Sequence, residues 1–204
     1  MNIIPTQEEV IDLFTSTGGF RKGHFEFPNG RHGNEYLQVA LTMRYYQSAK
    51  ILSVGLSRLL RAHSEIRAQI SELSIVAPAT GGLPVAYGVC EALRARQVYW
   101  AERESETQPF RFRQFLDVKP GEKVVLVDDI LRSGKRLTEL KSLVEQKGAE
   151  VVGAAVIIFQ PAPDSLNFGS LPFFSLAKLD HIDFPDAASC SLCKQGLPFE
   201  KILV

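Results

Sequence analysis

The sequence predicts an α/β fold in which a mainly parallel sheet is flanked by helices, because short apolar runs alternate with longer amphipathic patterns. Two of the apolar runs lead through a small-residue loop directly into a helical pattern, near residues 78–82 and 128–134. With 204 residues, 45% of them hydrophobic, the chain is large enough to form a full core. We therefore expect one domain over residues 1–204. Its core spans about 46–180, and a smaller hood is formed by about 1–45 and the C-terminal tail.

Composition excludes several classes of protein. Lysine plus arginine and aspartate plus glutamate number 23 each, so no excess charge favours nucleic acid or a membrane surface. No apolar run reaches transmembrane length, and the first residues lack a secretory pattern. Three cysteines in a chain of this size do not form a disulfide framework. We expect a cytoplasmic enzyme that binds neither nucleic acid nor membranes.

The N-terminal region predicts a helix followed by a hairpin. A helix is expected over residues 6–17, where Thr6 can cap the first turn and Glu9 completes a capping box. Alternating Phe25 and Phe27 predict a strand, residues 28–30 a turn, and residues 36–41 a second strand. The next helix is expected over residues 47–63.

The first strand–loop–helix unit begins with a strand over residues 73–77. It continues into a loop that contains Thr80, Gly81 and Gly82, and then into a helix. Glycines allow backbone N–H groups to approach an anion closely. Further strands are expected over residues 97–101 and 151–159, with period-two alternation over 110–115, and Gly148 is expected to end the helix before the last strand.

The second unit carries the strongest chemical signal in the chain. A buried strand over residues 124–128 ends in Asp128 and Asp129, and a helix is expected to start near Gly134. A helix start offers unpaired N–H groups and a positive dipole end, which suit a phosphate. Carboxylates suit ribose hydroxyls or a hydrated Mg²⁺. An acid pair after a strand can also simply cap a helix, so that interpretation stays open.

Residues 123–136 resemble the phosphoribosyl-pyrophosphate signature of the type I phosphoribosyltransferases, although Arg132 and Lys135 depart from its usual loop. The resemblance implies that Asp128 and Asp129 are the catalytic pair that holds the ribose and Mg²⁺. It also implies a 5′-phosphate loop made of Arg132, Ser133, Gly134, Lys135 and Arg136. The earlier glycine loop, Thr80, Gly81 and Gly82, is similar to the pyrophosphate loop of the same family.

Other segments resemble the orotate phosphoribosyltransferases. The motifs Gly-His-Phe and Gly-Arg-His-Gly, followed by a tyrosine, are similar to the hood hairpin that covers the base in those enzymes. This implies that Phe25 and Phe27 contact the base, while the alternative is that both rings belong to the core. The Cys-x-x-Cys tail is similar to that of a subgroup with a short catalytic loop.

Two features differ from the orotate pattern. Residues 105–109 contain no lysine, which leaves Arg103 and Arg113 as candidates for pyrophosphate contacts or as plain exposed arginines. Gln160 stands where the orotate enzymes have an arginine that pairs with the orotate carboxylate. An arginine–carboxylate pair is charge-assisted, so glutamine is not an equivalent substitute. Gln160 and the hood would therefore select the base.

The pair Cys190 and Cys193 supplies half of a zinc site. His181 is a candidate third ligand, and no fourth ligand is evident from the sequence. The role of the two cysteines stays open, whereas Cys90 is predicted to be a small core residue on a helix.

Three functions follow from the resemblance. The first is transfer of ribose 5-phosphate from phosphoribosyl pyrophosphate to orotate, with Mg²⁺ and in a homodimer. The second is the same transfer to another base, which Gln160 motivates. The third is a non-catalytic protein that binds phosphoribosyl pyrophosphate or a nucleotide for regulation, which the lysine-free loop motivates.

Overall fold

The computed structural model describes residues 3–105, 107–113, 117–161, 165, 168–180 and 182–203. The helices are α1 (Gln7–Ser16), α2 (Val39–Met43), α3 (Tyr46–Ala62), α4 (Ser64–Ala68), α5 (Gly82–Leu93), α6 (Lys135–Gln146) and α7 (Ser191–Lys194). The strands are β1 (Phe20–Glu26), β2 (His32–Leu37), β3 (Ser74–Pro78), β4 (Gln97–Glu102), β5 (Arg111–Phe112), β6 (Lys123–Leu131), β7 (Glu150–Phe159), β8 (Phe173–Lys178), β9 (Asp183–Phe184) and β10 (Glu200–Lys201).

The larger sheet has the strand order β5-β4-β3-β6-β7-β8. Its neighbours are parallel except for β5, which pairs antiparallel with β4. Alternate residues of β6 pack into two core clusters: Val125 and Val127 pack with Leu56 of α3, whereas Leu126 packs with Leu140 of α6. The predicted α/β fold, with a mainly parallel sheet between helices, is confirmed.

Most predicted elements agree with the structure to within one residue at each end, namely α3, β3, β4 and β7. At α1, the Thr6 hydroxyl accepts a hydrogen bond from the Glu9 N–H while the Glu9 carboxylate accepts one from the Thr6 N–H, so the capping box is confirmed. Gly148 follows α6 with a φ of +79°, a left-handed conformation that suits a helix end.

A second sheet has the strand order β10-β1-β2-β9, and we call this sheet the hood. It contains the predicted hairpin together with two short strands from the C-terminal tail. The second hairpin strand spans His32–Leu37, so the prediction over residues 36–41 was wrong. The turn at residues 28–30 places His32 opposite Glu26, and the following residues form α2, which buries Val39 and Met43.

The central strand β6 is longer than the sequence indicated. It was expected to end at the acid pair, but it continues to Leu131 because β7 extends the ladder and pairs Ile130 with Ile158 and Leu131 with Phe159. The acid pair therefore lies inside a paired strand. Of the expected alternation over residues 110–115, β5 holds two residues, and residues 114 and 115 lie outside those described.

Among the residues that the structure describes, no helix combines the length and the apolarity needed to cross a membrane.

Candidate active site

The two loops singled out in the sequence meet at the acid pair. Because β3 and β6 are parallel neighbours, their carboxyl ends lie at the same edge of the sheet. A Cβ atom on Gly81 would lie 2.5 Å from Oδ2 of Asp129, and one on Gly82 would lie 3.2 Å from Oδ1 of Asp128. The loop at residues 80–82, in which the Ala79–Thr80 peptide is cis, thus rests directly against the carboxylates. Only glycine at position 81 permits this approach.

Both carboxylates of the pair are buried, with Asp128 1% and Asp129 8% exposed. The Asp129 N–H donates to Oδ1 of Asp128 at 2.9 Å, and the Ile130 N–H donates to Oδ1 of Asp129 at 2.7 Å. Burial raises the pKa of Asp128 well above its usual range, and the charge of Asp129 raises it further. Arg136, whose Nη1 lies 3.8 Å from Oδ2 of Asp128, opposes these effects. A bound cation or hydroxyl donors would relieve this concentration of negative charge.

The loop after the acid pair forms an anion-sized cavity at the start of α6. Gly134 has a φ of +78° and no side chain to cap α6, which begins at the next residue; the Lys135 N–H donates a long hydrogen bond of 3.4 Å to Ser133 Oγ. A cavity of about 190 Å³ is lined by Asp128, Ile130, Leu131, Arg132, Ser133, Gly134, Arg136 and Leu137. The Nε of Arg136 is buried and has no hydrogen-bond partner within the part of the chain that the structure describes. Uncapped N–H groups, the helix dipole and an unpartnered guanidinium donor together suit a phosphate.

An arginine does contact Gln160, the residue predicted to select the base. Arg132 Nε donates to Oε1 of Gln160 at 2.9 Å, and Gln160 is 1% exposed. Among the described residues, the buried Nε2 of Gln160 has no hydrogen-bond partner, so its N–H donors are unsatisfied. Burial lowers the pKa of Arg132, while the charges of Asp183 and Asp129 oppose that shift.

The contact between Arg132 and Gln160 could not be predicted from the sequence, because the two residues are 28 positions apart and meet through the β6–β7 pairing. Asp183 belongs to β9 of the hood and accepts a hydrogen bond from Arg31 Nε at 2.7 Å. The negative charge of this hood residue also counteracts the lowering of the pKa of Arg132, so the hood acts electrostatically on Arg132.

Arg103 and Arg113 follow β4 and β5 near the same edge of the sheet. The Ala101 carbonyl of β4 accepts from the N–H of Ala79, which brings the end of β4 to the glycine loop. Arg103 Nη1 lies 3.8 Å from Oε2 of Glu139, and Arg113 Nε lies 2.5 Å from Oε2 of Glu102. Each arginine contacts a carboxylate in this structure, and their roles toward pyrophosphate stay predictions.

The two phenylalanines of the hood lie inside the hairpin. Phe25 is 3% exposed, and its ring centroid is 5.9 Å from that of Tyr36. Phe27 is half-buried, and a Cβ atom on Gly33 would lie 2.9 Å from its ring. The packing of both rings within the hood is compatible with the core alternative, and their contact with a base stays a prediction.

Comparisons with known proteins show the family to which the chain belongs. Residues 46–167 match a family model described as a phosphoribosyl transferase domain. The orotate phosphoribosyltransferase of Thermotoga maritima is 35% identical over 192 residues, which cover 94% of this chain and 96% of the relative. That of Desulforamulus reducens is 31% identical over 195 residues, or 96% and 95% of the two chains. The chain belongs to the type I phosphoribosyltransferase family, and the expected resemblance to its orotate members is confirmed.

A solved structure supports the fold independently. The crystal structure of orotate phosphoribosyltransferase from Aeropyrum pernix superimposes with a TM-score of 0.64 at 19% identity, and the match covers 83% of this chain and 93% of that chain. At this level of identity the likeness concerns the fold, which is the arrangement of sheet and helices described above.

Proposed function

We propose that this protein transfers ribose 5-phosphate from phosphoribosyl pyrophosphate to orotate, which yields orotidine 5′-phosphate and pyrophosphate for pyrimidine synthesis. The observation that carries the proposal is the convergence of both loops on Asp128 and Asp129. The chain has this arrangement at 35% identity to a curated orotate phosphoribosyltransferase.

The site offers a separate group of atoms for each part of the donor substrate. Asp128 and Asp129 present carboxylate oxygens, which accept hydrogen bonds from ribose hydroxyls. The loop at 132–136 and the start of α6 suit the 5′-phosphate, because N–H groups and cations meet there. The backbone of residues 80–82, held against the acid pair, suits the pyrophosphate.

We further propose that Mg²⁺ accompanies the pyrophosphate at the acid pair. The donor set fits this ion, since Mg²⁺ prefers carboxylate and phosphate oxygens and keeps several waters. The charge concentrated at Asp128 and Asp129 also favours a cation there. When bound, the ion would neutralise charge on the departing pyrophosphate, with Asp128 and Asp129 as the residues that hold it.

Catalysis in this proposal requires no protein nucleophile. The reaction breaks the bond between ribose C1 and the pyrophosphate while a base nitrogen bonds to the same carbon, and positive charge develops on the sugar. Buried carboxylates near the ribose stabilise such charge, and the two loops hold the donor while Arg132 and Gln160 hold the acceptor in line with it. The protein therefore acts by positioning, electrostatic stabilisation and exclusion of water.

The contact between Arg132 and Gln160 supports orotate as the base. The arginine expected at position 160 is absent, but Arg132 brings a guanidinium group to Gln160 from the neighbouring strand end. Together with the unpartnered Nε2 of Gln160, this cation provides donors for the orotate carboxylate. We propose that Arg132 performs the task of the missing arginine, rather than serving only in the phosphate loop.

A screen of base acceptors tests the function. Pyrophosphate release from phosphoribosyl pyrophosphate and Mg²⁺ is measured with orotate, uracil and the purine bases. Turnover with orotate is expected. Turnover with a neutral base alone would assign the protein to the second hypothesis, which the glutamine at position 160 favours. Calorimetric binding of phosphoribosyl pyrophosphate without turnover on any base would favour the regulatory hypothesis, which the lysine-free loop favours.

We also propose that residues 1–204 act as one phosphoribosyltransferase domain and that the protein is a cytoplasmic homodimer. The exposed aromatic residues Tyr46 and Tyr87 support the dimer, since 70% and 56% of their surfaces are accessible. They lie on α3 and α5, which pack together and border a groove of about 320 Å³. Tyrosine is enriched at protein–protein interfaces, so this face is the proposed dimer contact.

A further inference from the structure

We infer that the hood contains a structural zinc site made of His24, His32, Cys190 and Cys193. The Nδ1 or Nε2 atom of each histidine and the Sγ atom of each cysteine all lie within 4.8 Å of one another. The two histidines come from β1 and β2, and the two cysteines come from α7 and the residue that precedes it. The site is separate from the acid pair and concerns the C-terminal tail, for which the proposed reaction provides no role.

Four of the six distances between the ligand atoms are close to those around a tetrahedral zinc ion. Zn–N bonds of about 2.0–2.1 Å and Zn–S bonds of about 2.3 Å place N and S about 3.5 Å apart and two nitrogens about 3.3 Å apart. Cys190 Sγ and Cys193 Sγ each lie 3.5 Å from His24 Nε2. Cys193 Sγ lies 3.5 Å from His32 Nδ1, and the two histidine nitrogens are 3.0 Å apart. Two thiols and two imidazoles form a ligand set typical of zinc.

The orientation of His24 is set by the tail. Its Nδ1 lies 2.9 Å from the Leu197 carbonyl oxygen, which can only accept a hydrogen bond. Nδ1 therefore carries the proton, and the lone pair of Nε2 is directed toward the other ligand atoms. A backbone carbonyl that orients a histidine in this way is a regular feature of metal sites.

The cluster is enclosed, as a structural site should be. His24 is 7%, His32 2% and Cys190 0% exposed, whereas Cys193 is half-buried and lies on the outer side of the cluster. The ring of Phe199 covers both imidazoles, with centroids 5.4 and 5.1 Å away. Four protein ligands leave no open coordination position, which distinguishes a structural site from a catalytic one.

The sequence revealed only half of this site. His181, the candidate third ligand, lies outside the described residues, and both missing ligands belong to the hairpin instead. His24 and Cys190 are 166 positions apart, so only the folding of the tail back onto the hairpin brings them together.

Within the hood, a bound zinc ion would link the C-terminal tail to the N-terminal hairpin. Strand β10 pairs with β1 at two positions, Phe25 with Glu200 and Glu26 with Lys201, so the ladder alone holds the tail weakly. An ion bound to β1, β2 and the tail would cross-link these segments. The hood also carries the Asp183–Arg31 pair that approaches the central site, so loss of zinc is expected to loosen the base side of that site.

The test measures metal content in the purified full-length chain by inductively coupled plasma mass spectrometry. About one zinc ion per chain is expected for the native protein. Cys193→Ser is expected to lose the ion and to unfold at a temperature lower by at least about 5 °C. Cys90→Ser is the matched control, because Cys90 is half-buried on α5 and its Sγ bonds to the Ala95 carbonyl oxygen, and it should retain zinc.

A second measurement serves if Cys193→Ser does not fold. The native protein is treated with a mercurial that displaces thiolate ligands, and released zinc is followed with a metallochromic dye. Protein refolded with Co²⁺ should show the visible absorption of a tetrahedral cobalt–thiolate complex. The inference would be overturned if the purified chain contained no metal and the thiols of Cys190 and Cys193 were both free to react. A disulfide between Cys190 and Cys193 would overturn it as well. None of these measurements depends on the proposed transferase activity.

Discussion

Asp128 shows how the chemistry of this site depends on the environment of one side chain. The folded protein buries it beside Asp129, so its pKa rises well above the ordinary carboxyl value. The unfolded chain keeps the ordinary value, and the folded state therefore holds a proton over a pH range in which the unfolded state has released it. In that range the stability of the ligand-free protein falls as pH rises.

The substitution Asp128→Asn tests this. At neutral pH the ligand-free variant is expected to be more stable than the native protein, because a buried charge is removed and the amide oxygen can still accept the Asp129 N–H. The free energy of unfolding of the variant should also depend less on pH between the ordinary aspartate pKa of about 3.9 and the raised pKa of Asp128. Thermal unfolding across pH measures both effects. Asp117→Asn, at an exposed residue paired with Lys147, is the control.

The same variant should lose activity. We expect kcat/KM to fall by about 10²-fold or more, the usual effect of removing one preorganised electrostatic contact. A variant with native activity and an unchanged pH profile of stability would show that Asp128 has neither role.

Arg132 provides a second prediction for a single residue. If its guanidinium group binds the orotate carboxylate beside Gln160, Arg132→Gln should raise the KM for orotate by about 10- to 100-fold, the effect of losing one charged hydrogen bond. The KM for phosphoribosyl pyrophosphate should rise less than that for orotate, because the other groups of the 132–136 loop still bind the 5′-phosphate. Steady-state kinetics with each substrate varied in turn provide the measurement, and exposed Arg111→Gln is the control. If the KM for phosphoribosyl pyrophosphate rose more than the KM for orotate, Arg132 would be assigned to binding of the 5′-phosphate and not of the base.

At the scale of elements, the site consists of two strand–loop–helix units placed side by side. The unit β3–loop–α5 contributes backbone, and the unit β6–loop–α6 contributes the carboxylates and cations. They cooperate because β3 and β6 pair in parallel, so both loops leave the sheet at one edge. Neither unit contains the site alone.

Gly81→Ala tests this juxtaposition. The φ of Gly81 is −61°, which alanine tolerates, but its Cβ atom would collide with Oδ2 of Asp129 at 2.5 Å. We expect the loop or the carboxylate to shift and kcat/KM to fall by at least about tenfold, since small displacements at a site are costly. Gly121→Ala is a useful contrast. It has a φ of +82° and no atom nearby, so it should lose stability through backbone strain while keeping kcat/KM. Equal activity losses in the two variants would contradict the prediction.

At the scale of the whole molecule, two sheets divide the work. The mainly parallel sheet positions the two loops that we propose bind phosphate and pyrophosphate, and the hood joins the N-terminal hairpin to the C-terminal tail. Two ion pairs also join the hairpin to the tail: Arg21 pairs with Glu200, and Arg31 pairs with Asp183. Exposed pairs of this kind contribute little each, so the cysteine and histidine cluster is the stronger candidate for a tether.

The proposed dimer is the prediction for the whole molecule. Light scattering is expected to give twice the chain mass of 22.7 kDa. Tyr87→Arg should shift the protein toward monomer, because a charge would replace an aromatic side chain at the proposed contact. Leu203→Arg alters another exposed apolar residue, away from α3 and α5, and should leave the mass unchanged. A monomeric native protein would argue against the dimer.

Local patterns predicted much of the fold. The capping residues Thr6 and Glu9, the helix-ending Gly148 and the apolar runs of β3 and β7 carry their conformations within a few neighbouring residues. Such elements are readable because backbone sterics and hydrophobic periodicity act over short distances. The length of β6 and the start of β2 were mispredicted, since each depends on the strand that pairs with it.

The sequence by itself therefore determined the class of fold, the two phosphate-type loops and the acid pair, because each is a contiguous motif. Only the tertiary structure decided which distant residues share a site. It placed Gly81 against Asp129 and Arg132 against Gln160, and it gathered the hood histidines around the tail cysteines. The physical reason is that these contacts depend on sheet register and on the path of the tail, which follow from the packing of the whole chain.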